Sequence, residues 1–264
     1  MNHYRTRFAA ALMLAAIASL AVSPTPTFAQ DDESIGKKVD IKELSRKLDK
    51  LYRAETSRAT MTMQIVTENY ERTLEMEMTT RGQDDTLIRI LSPRKEKGIS
   101  TLKRGTEMWN YLPKIKKVVR VPPSMMTSSW MGSDMTNDDL VRESSWEDDY
   151  TVSQVKAPAG EFCFEYVPKE DAAVTWSKVK TCFDEKYELP KRQEFFDEKG
   201  RKVRKMEFGK IKKVDGRIMP TQISIIPLSK DKKGNKTVMT YKSLEFDVPV
   251  EESTFSMANL RRGR

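Results

Sequence analysis

The sequence predicts a mainly β protein of the α+β class, with one large antiparallel sheet and one long helix. Apolar and polar residues alternate along many short segments, and this period of two is typical of strands with one buried face. Turn-forming residues separate these segments, whereas a single stretch near the start has clear helical periodicity. The number and spacing of the segments favour one strongly curved sheet or barrel of about 11–13 strands.

The first residues are predicted to be a signal peptide that is cleaved from the exported protein. A short basic start with Arg5 and Arg7 precedes an apolar run, residues 8–22, which is too short to span a membrane comfortably. Small residues follow and end at Ala29, which is the layout of a secretory signal. We therefore predict residues 1–29 as the signal and residues 30–264 as one domain. The alternative is an uncleaved N-terminal anchor.

The predicted helix covers residues 40–55. Asp40 and Glu43 resemble a capping box at its start. Its apolar residues recur every three to four positions and so share one face, which needs a surface to cover. This face consists of Ile41, Leu44, Leu48, Leu51 and Tyr52.

Methionine is unusually frequent on the dry face of the first two predicted strands, RATMTMQIV and RTLEMEMTT. Methionine fills irregular space and adapts to different shapes, so both an ordinary core and a cavity for a flexible apolar ligand fit this face. The residues expected to line such a cavity are Met61, Met63, Ile65, Leu74, Met76 and Met78.

Further strands are predicted in order at TLIRIL, GISTLKR, EMWNYL, KKVVRV, YTVSQV, EFCFEYV, VTWSKVKTCF, PKRQEFF, KVRKMEFGKI, IMPTQISII and KTVMTYKSLEF. Within EMWNYL, Trp109 and Tyr111 are expected to add aromatic walls to the cavity. Asp215-Gly216 is the strongest hairpin signal in the chain.

The alternation stops in VPPSMMTSSWMGSDMTNDDLV, which is neither a regular strand nor a clean helix. Its apolar residues surround Gly132 and could repack at little energetic cost, because methionine side chains are flexible. One interpretation is an adaptable cover for an apolar cavity, and the other is a surface loop that packs on the barrel edge. The residues assigned to the cover are Met125, Met126, Trp130, Met131 and Met135.

The residue inventory argues against most catalytic chemistry. The only histidine is His3, within the predicted signal peptide, so histidine-dependent triads and imidazole metal sites are not expected. Phosphate-binding glycine motifs and GxSxG are absent from the sequence. The acidic runs 137–139 and 147–149 fit loop solvation and helix capping, and a carboxylate-dependent hydrolase is the weaker alternative. We therefore predict a protein that is not an enzyme and holds no metal or cofactor.

Two further features are ambiguous from the sequence alone. Cys163 and Cys182 fall at matching positions on two predicted hairpin arms, so they form either a structural disulfide or a pair of free thiols. The run PKIKKVVR is a basic edge that either docks on a partner or protects the sheet from edge pairing. Its basic residues are Lys114, Lys116, Lys117 and Arg120.

Three stretches resemble the outer-membrane lipoprotein-sorting family, the LolA-like periplasmic carriers. They are GTEMWNYLPKIKKVVRVPPSMMTSSWMGSDMTNDDL, YELPKRQEFFDEKGRKVRKMEF and VDGRIMPTQISI, and the resemblance covers about residues 41–260. It implies a half-open antiparallel β-barrel with a helical lid, which we assign to about residues 121–142 together with the first helix.

The resemblance also implies a function. We expect a periplasmic carrier that binds lipid or acylated lipoprotein cargo and moves it between the inner and outer membranes, with transient membrane contact. An inner-membrane transporter of the resistance-nodulation-division class is the expected partner, and nucleic acid is not. The alternative is a periplasmic lipid sensor or adaptor that docks on such a transporter.

Overall fold

The fold is built on one 13-stranded antiparallel sheet, seen here in a computed structural model. The structure describes residues 37–49, 51, 54–141, 149–172 and 174–262. The predicted signal peptide, Tyr52, Glu147 and Asp148 lie outside the described residues. The predicted fold class is confirmed, because the sheet is curled and its order begins at one unpaired edge strand and ends at another.

The thirteen strands and the helices have the following bounds. The strands are β1 (Thr56–Val66), β2 (Glu71–Arg81), β3 (Asp85–Ser92), β4 (Ser100–Arg104), β5 (Glu107–Leu112), β6 (Lys117–Arg120), β7 (Tyr150–Val155), β8 (Glu161–Pro168), β9 (Lys178–Asp184), β10 (Pro190–Phe196), β11 (Lys202–Val214), β12 (Arg217–Pro227) and β13 (Lys236–Phe246). The α-helices are α1 (Ile41–Asp49), α2 (Asn137–Val141) and a C-terminal helix (Met257–Leu260), and 3₁₀ helices occur at Pro123–Met125, Trp130–Gly132, Lys230–Lys232 and Glu252–Phe255.

The strand order shows how the sheet stays open. It runs β6-β5-β4-β3-β2-β1-β13-β12-β11-β10-β9-β8-β7. The first meander consists of β1 to β6 and the second of β7 to β13, and the two meet where β1 pairs with β13. The two edge strands, β6 and β7, are consecutive in the sequence. The connection between them therefore runs from one edge of the sheet to the other, and its described part, residues 121–141, packs on the inner face of the sheet.

Helix α1 begins where the sequence predicts and ends earlier. The Asp40 carboxylate accepts hydrogen bonds from the N–H groups of Lys42, at 2.8 Å, and Glu43, at 3.4 Å, and so caps the first turn. The α-helix ends at Asp49, and the Leu51 N–H bonds the Leu48 carbonyl three residues back, which is a tighter turn. Leu44 and Leu51 are buried against the sheet.

Two hairpins have the register that the sequence indicates. Asp215 and Gly216 join β11 to β12 with φ values of 44° and 81°, the positive pair expected of a tight hairpin turn. In β8 and β9, Cys163 lies directly opposite Cys182, and the two form a disulfide with an S–S distance of 2.03 Å. Among the described residues, no helix is long and apolar enough to cross a membrane.

Candidate ligand cavity and its covering segments

A cavity of about 680 Å³ lies between the inner face of the sheet, α1 and the covering segment, which we define as residues 121–141. Its volume falls in the range of roughly 300–1,000 Å³ that is common for small-molecule sites. Most of its lining is apolar, with a few polar groups at intervals. The apolar lining includes Leu48, Leu51, Met61, Met76, Met78, Ile88, Trp130, Met135, Leu140, Tyr150, Tyr166, Trp176, Phe183, Phe195, Met206, Phe208, Ile223, Ile225, Met239 and Tyr241.

Strand register explains why residues distant in sequence share this cavity. Met61 lies opposite both Met76 on β2 and Tyr241 on β13. On the other meander, Ile223 lies between its partners Met239 on β13 and Phe208 on β11. Because paired residues in a ladder point to the same face, the strands collect these side chains on the inner side.

Three of the predicted lining residues are core residues instead. Met63, Ile65 and Leu74 share the inner face but lie nearer the β1–β2 turn, and each is fully buried. They pack in one cluster with Trp130 and Val141 of the covering segment. The prediction treated the whole dry face as cavity, whereas the covering segment fills one end of it.

Trp109 and Tyr111 are on the outer face, contrary to the predicted aromatic walls. Trp109 pairs with Leu102, and Tyr111 packs with Phe255 and Leu260. These two residues belong to what we call the C-terminal segment, residues 252–260. Alternation along β5 places Met108 on the inner face instead. The C-terminal segment covers this part of the outer face, which is why two aromatic residues are sheltered there.

The covering segment contributes Trp130 and Met135 to the cavity lining. Trp130 is 2% exposed, and its indole N–H donates to the Thr101 hydroxyl at 3.1 Å. Met126 and Met131 pack against the inner core without lining the cavity, and Met125 is 51% exposed. Of the five apolar residues assigned to the cover, two therefore meet the cavity.

Polar contacts hold the covering segment on the sheet. The Arg72 guanidinium donates to the Met131 carbonyl. Asp134 exchanges hydrogen bonds with the Thr237 hydroxyl, and burial raises the pKa of the Asp134 carboxyl. The turn needs two residues with positive φ, Met131 at 52° and Gly132 at 69°, and only the methionine adopts this conformation at a cost.

Helix α2 is fixed by a capping box and a buried ion pair. The Thr136 hydroxyl accepts from the Asp139 N–H at 3.1 Å, and the Asp139 carboxylate accepts from the Thr136 N–H at 2.7 Å. The same carboxylate accepts two bonds from Arg204, at 2.7 and 2.8 Å. Arg204 is 5% exposed and lies over the rings of Trp176 and Phe195.

Sequence reasoning did not identify Arg204. A usable signal exists, because Arg204, Met206 and Phe208 alternate with Lys205 and Glu207 on β11, and this parity puts the arginine on the apolar face. A cation at such a position needs a buried partner. The acidic run 137–139, assigned to helix capping, supplies that partner as well as the cap.

The lining also has polar groups from α1 and the second meander. Lys42, Ser45 and Arg46 come from α1, and Gln193 donates to the Thr181 hydroxyl at 3.0 Å. Helix α1 is held in place by Lys37 and Lys47, which both bind the Glu188 carboxylate, at 2.7 and 2.8 Å. These two hydrogen bonds lower the pKa of Glu188 to about 2.

The four predicted docking cations separate into two places. Lys114 and Lys116 lie in the β5–β6 turn and Lys117 begins β6, and all three are exposed. Arg120 lies at the far end of β6 and forms an ion pair with Glu107. The predicted continuous basic edge is therefore wrong, because Lys114 and Lys116 belong to a turn and not to the strand.

The disulfide lies away from the cavity, in a small cluster with Ala157. Within the described ranges, Glu161, Cys163 and Cys182 form one group close enough to hold a metal ion. The cysteines are bonded to each other, so they offer no thiolate. Glu161 instead pairs with Lys191 and Arg192.

Comparisons with known proteins agree with this architecture. A DUF1329 family protein from Desulfovibrio piger aligns with a TM-score of 0.71 at 24% identity, covering 83% of this chain and 96% of that one. A putative outer membrane lipoprotein-sorting protein domain from Vibrio parahaemolyticus aligns with a TM-score of 0.69 at 22% identity, covering 83% of this chain and 97% of that one. A LolA superfamily protein from Nitrosomonas europaea aligns with a TM-score of 0.69 at 17% identity, covering 84% of this chain and 100% of that one.

Sequence comparison places most of the chain in one family. No curated protein is similar enough in sequence to count as a relative. A family model described as "Uncharacterized protein" matches residues 82–262, which is more than half of the chain. The chain therefore belongs to the family of this model, and in fold it is a LolA-like protein.

Proposed function

We propose that this protein is a periplasmic carrier that holds lipid or lipid-modified cargo in its cavity and moves it between the inner and outer membranes. The observation that carries the proposal is the largely apolar cavity of about 680 Å³ beneath a separate covering segment. The LolA-like fold supports it, and one structural neighbour is itself described as a putative lipoprotein-sorting domain. The role needs no catalytic group, so we propose a protein that is not an enzyme.

Burial of acyl chains would supply the binding energy. Each CH₂ group removed from water contributes about 0.8 kcal/mol, so a segment of about ten such groups gains roughly 8 kcal/mol before the costs of ordering. Methionine side chains from β1, β2, β11 and β13 line the site and can accommodate chains of different shapes. These properties favour a class of cargo over a single ligand.

Loading and release would require the covering segment to move. Besides apolar packing, its polar attachments to the sheet include Trp130 to Thr101, Arg72 to the Met131 carbonyl, Asp134 to Thr237 and Asp139 to Arg204. A segment held by separable polar contacts can open without unfolding the sheet. In this scheme Arg204 and Asp139 latch α2 and do not act on the cargo chemically.

The alternative function is a periplasmic lipid sensor or adaptor that docks on a membrane transporter. The exposed lysines at 114, 116 and 117 favour a docking role of some kind. A sensor would retain one lipid and transfer none between membranes, whereas a carrier would deliver it to acceptor vesicles. A transfer assay between donor and acceptor vesicles therefore separates the two functions.

The direct test of the carrier is cargo extraction combined with a cavity-filling variant. We expect protein purified without detergent to release acyl lipid that mass spectrometry detects. Met78→Trp should weaken binding of a fluorescent fatty acid about tenfold or more, because the indole occupies the cavity. Met257→Trp is the matched control, since Met257 packs with the cluster on the outer face. Equal binding by the wild type and Met78→Trp would contradict the proposal.

A further inference from the structure

Two adjacent turns at one end of the sheet form a surface that we call the basic tip. It comprises the β3–β4 connection and the β5–β6 turn. The two turns are neighbours, because a methyl group in place of a hydrogen on the Gly98 Cα would be in van der Waals contact with the Pro113 ring, 3.5 Å from its Cγ. We include Lys117, the first residue of β6, and the exposed side chains that matter here are Arg94, Lys95, Lys97, Lys114, Ile115, Lys116 and Lys117.

The β5–β6 turn presents an apolar side chain among lysines. The Ile115 N–H bonds the Leu112 carbonyl at 3.3 Å, and the Lys116 N–H bonds the Pro113 carbonyl at 3.2 Å. This tight turn places Ile115 at its apex, where it is 58% exposed. Lys116 has a φ of 53°, a left-handed conformation that a lysine adopts at some cost.

The β3–β4 connection adds three cations and turns its one carboxylate inward. Glu96 is buried and accepts a hydrogen bond from Arg72 at 3.4 Å, so it does not neutralise its neighbours at the surface. Arg94, Lys95 and Lys97 are exposed on either side of it. The basic tip thus concentrates positive charge around one exposed isoleucine.

The charge of the basic tip is not compensated locally. Elsewhere, exposed cations such as Lys242, Lys202 and Arg201 pair with carboxylates at 2.5–2.7 Å. Across the part of the chain that the structure describes, none of the six cations of the basic tip forms such a pair. Uncompensated cations of this density attract an anionic surface.

We propose that the basic tip docks the protein on an anionic bilayer, with the lysines and arginine at the headgroups and Ile115 inserted between them. A convex tip with a single apolar apex suits a soft, negatively charged surface. A stable protein partner would instead need about 800 Å² of complementary surface on each side. Polybasic segments gain attraction from anionic lipids for each cation near the surface, and an inserted apolar side chain adds to it.

The test is binding of the purified protein to phosphatidylglycerol vesicles and to phosphatidylcholine vesicles, measured by co-sedimentation. We expect binding to the anionic vesicles alone, and this binding should weaken as salt is added. The triple variant Lys114→Gln, Lys116→Asn, Lys117→Gln should lose affinity roughly a hundredfold, at about fivefold per cation. Ile115→Ser should lose about tenfold with no change in charge.

A matched control is present in the chain. Lys210, Ile211, Lys212 and Lys213 repeat the residue types of the turn, are exposed, and lie at the opposite end of the sheet because β11 runs opposite to β5. Replacing these three lysines changes net charge by the same amount and should leave vesicle binding nearly intact. Equal loss in both triple variants, or no loss in the first, would overturn the proposal. Failure of the wild type to bind phosphatidylglycerol would also overturn it and would favour an acidic protein partner.

Discussion

Arg204 and Asp139 form the buried ion pair that joins the covering segment to the sheet. A buried guanidinium is costly unless its partner is close and well oriented, and here two parallel hydrogen bonds provide this. The rings of Trp176 and Phe195, whose centroids are 5.1 Å apart, both lie against the guanidinium and favour the planar cation. Arginine and not lysine suits this position, because only the guanidinium can make both bonds in one plane.

Replacing one partner should therefore destabilise the protein by more than the energy of the lost contact, because the other charge stays buried without a counter-ion. We expect Asp139→Asn to lower the free energy of unfolding by about 3 kcal/mol, since Arg204 stays buried without its counter-charge. Urea denaturation measures this. Glu107→Gln is the control, because its ion pair with Arg120 is exposed and should contribute less than about 1 kcal/mol. Similar losses in both variants would show that the Arg204 pair is not effectively buried.

Helix α1 depends on tertiary contacts at the scale of the element. It has nine residues, which is too few for a stable isolated helix in water. Leu44 and Leu48 pack on the aromatic cluster of the second meander, and Lys37 and Lys47 bind Glu188 at the β9–β10 turn. The helix covers part of the cavity through these two kinds of contact together.

The Glu188 contact predicts a pH dependence for α1. The folded-state pKa of Glu188 is lowered from 4.5 to about 2, so its stabilising effect is complete above 4.5 and is lost as pH falls through about 2. Glu188→Gln should lower the hydrogen-exchange protection of residues 41–49 about fivefold at neutral pH. Below about pH 2 the variant and the wild type should exchange alike. Glu198→Gln, on the exposed β10–β11 turn, should behave as the wild type at both pH values.

At the scale of the whole molecule, the disulfide that stabilises the sheet lies apart from the residues that line the cavity. The Cys163–Cys182 disulfide joins β8 to β9 within a cluster that is distinct from the cavity lining. Its loop spans 19 residues, so replacing both cysteines with alanine should cost about 3 kcal/mol of stability. Urea denaturation would measure that loss, and fatty-acid binding below the unfolding transition should not change. Loss of binding by a folded double variant would show that the disulfide also shapes the cavity.

Topology accounts for the open sheet and for its cover. Because the two unpaired edges, β6 and β7, are consecutive in the sequence, the same connection that leaves the sheet open also extends across the inner face. The first and last strands pair at the middle of the sheet, which makes the two meanders one continuous surface. A cavity between the sheet and its own longest connection follows from this arrangement.

Much of the fold could be predicted from local pattern, and much less of the site. Alternation correctly put Met61, Met76 and Met78 on one face, and turn chemistry located the Asp215-Gly216 hairpin. Alternation cannot tell which face of a strand turns inward when both faces are covered. Trp109 and Tyr111 on β5 were misassigned for this reason, since the C-terminal segment shelters the outer face.

The sequence by itself determined the periodicities: strands with one dry face, a capped amphipathic helix and a Met-rich break in the pattern. These properties depend on neighbours in the chain, which a sequence displays directly. Only the tertiary structure decided that Met63, Ile65 and Leu74 are core residues, that Arg204 holds Asp139, and that two basic turns form one tip. Each of these depends on packing between segments far apart in sequence, where long-range geometry decides which side chains meet.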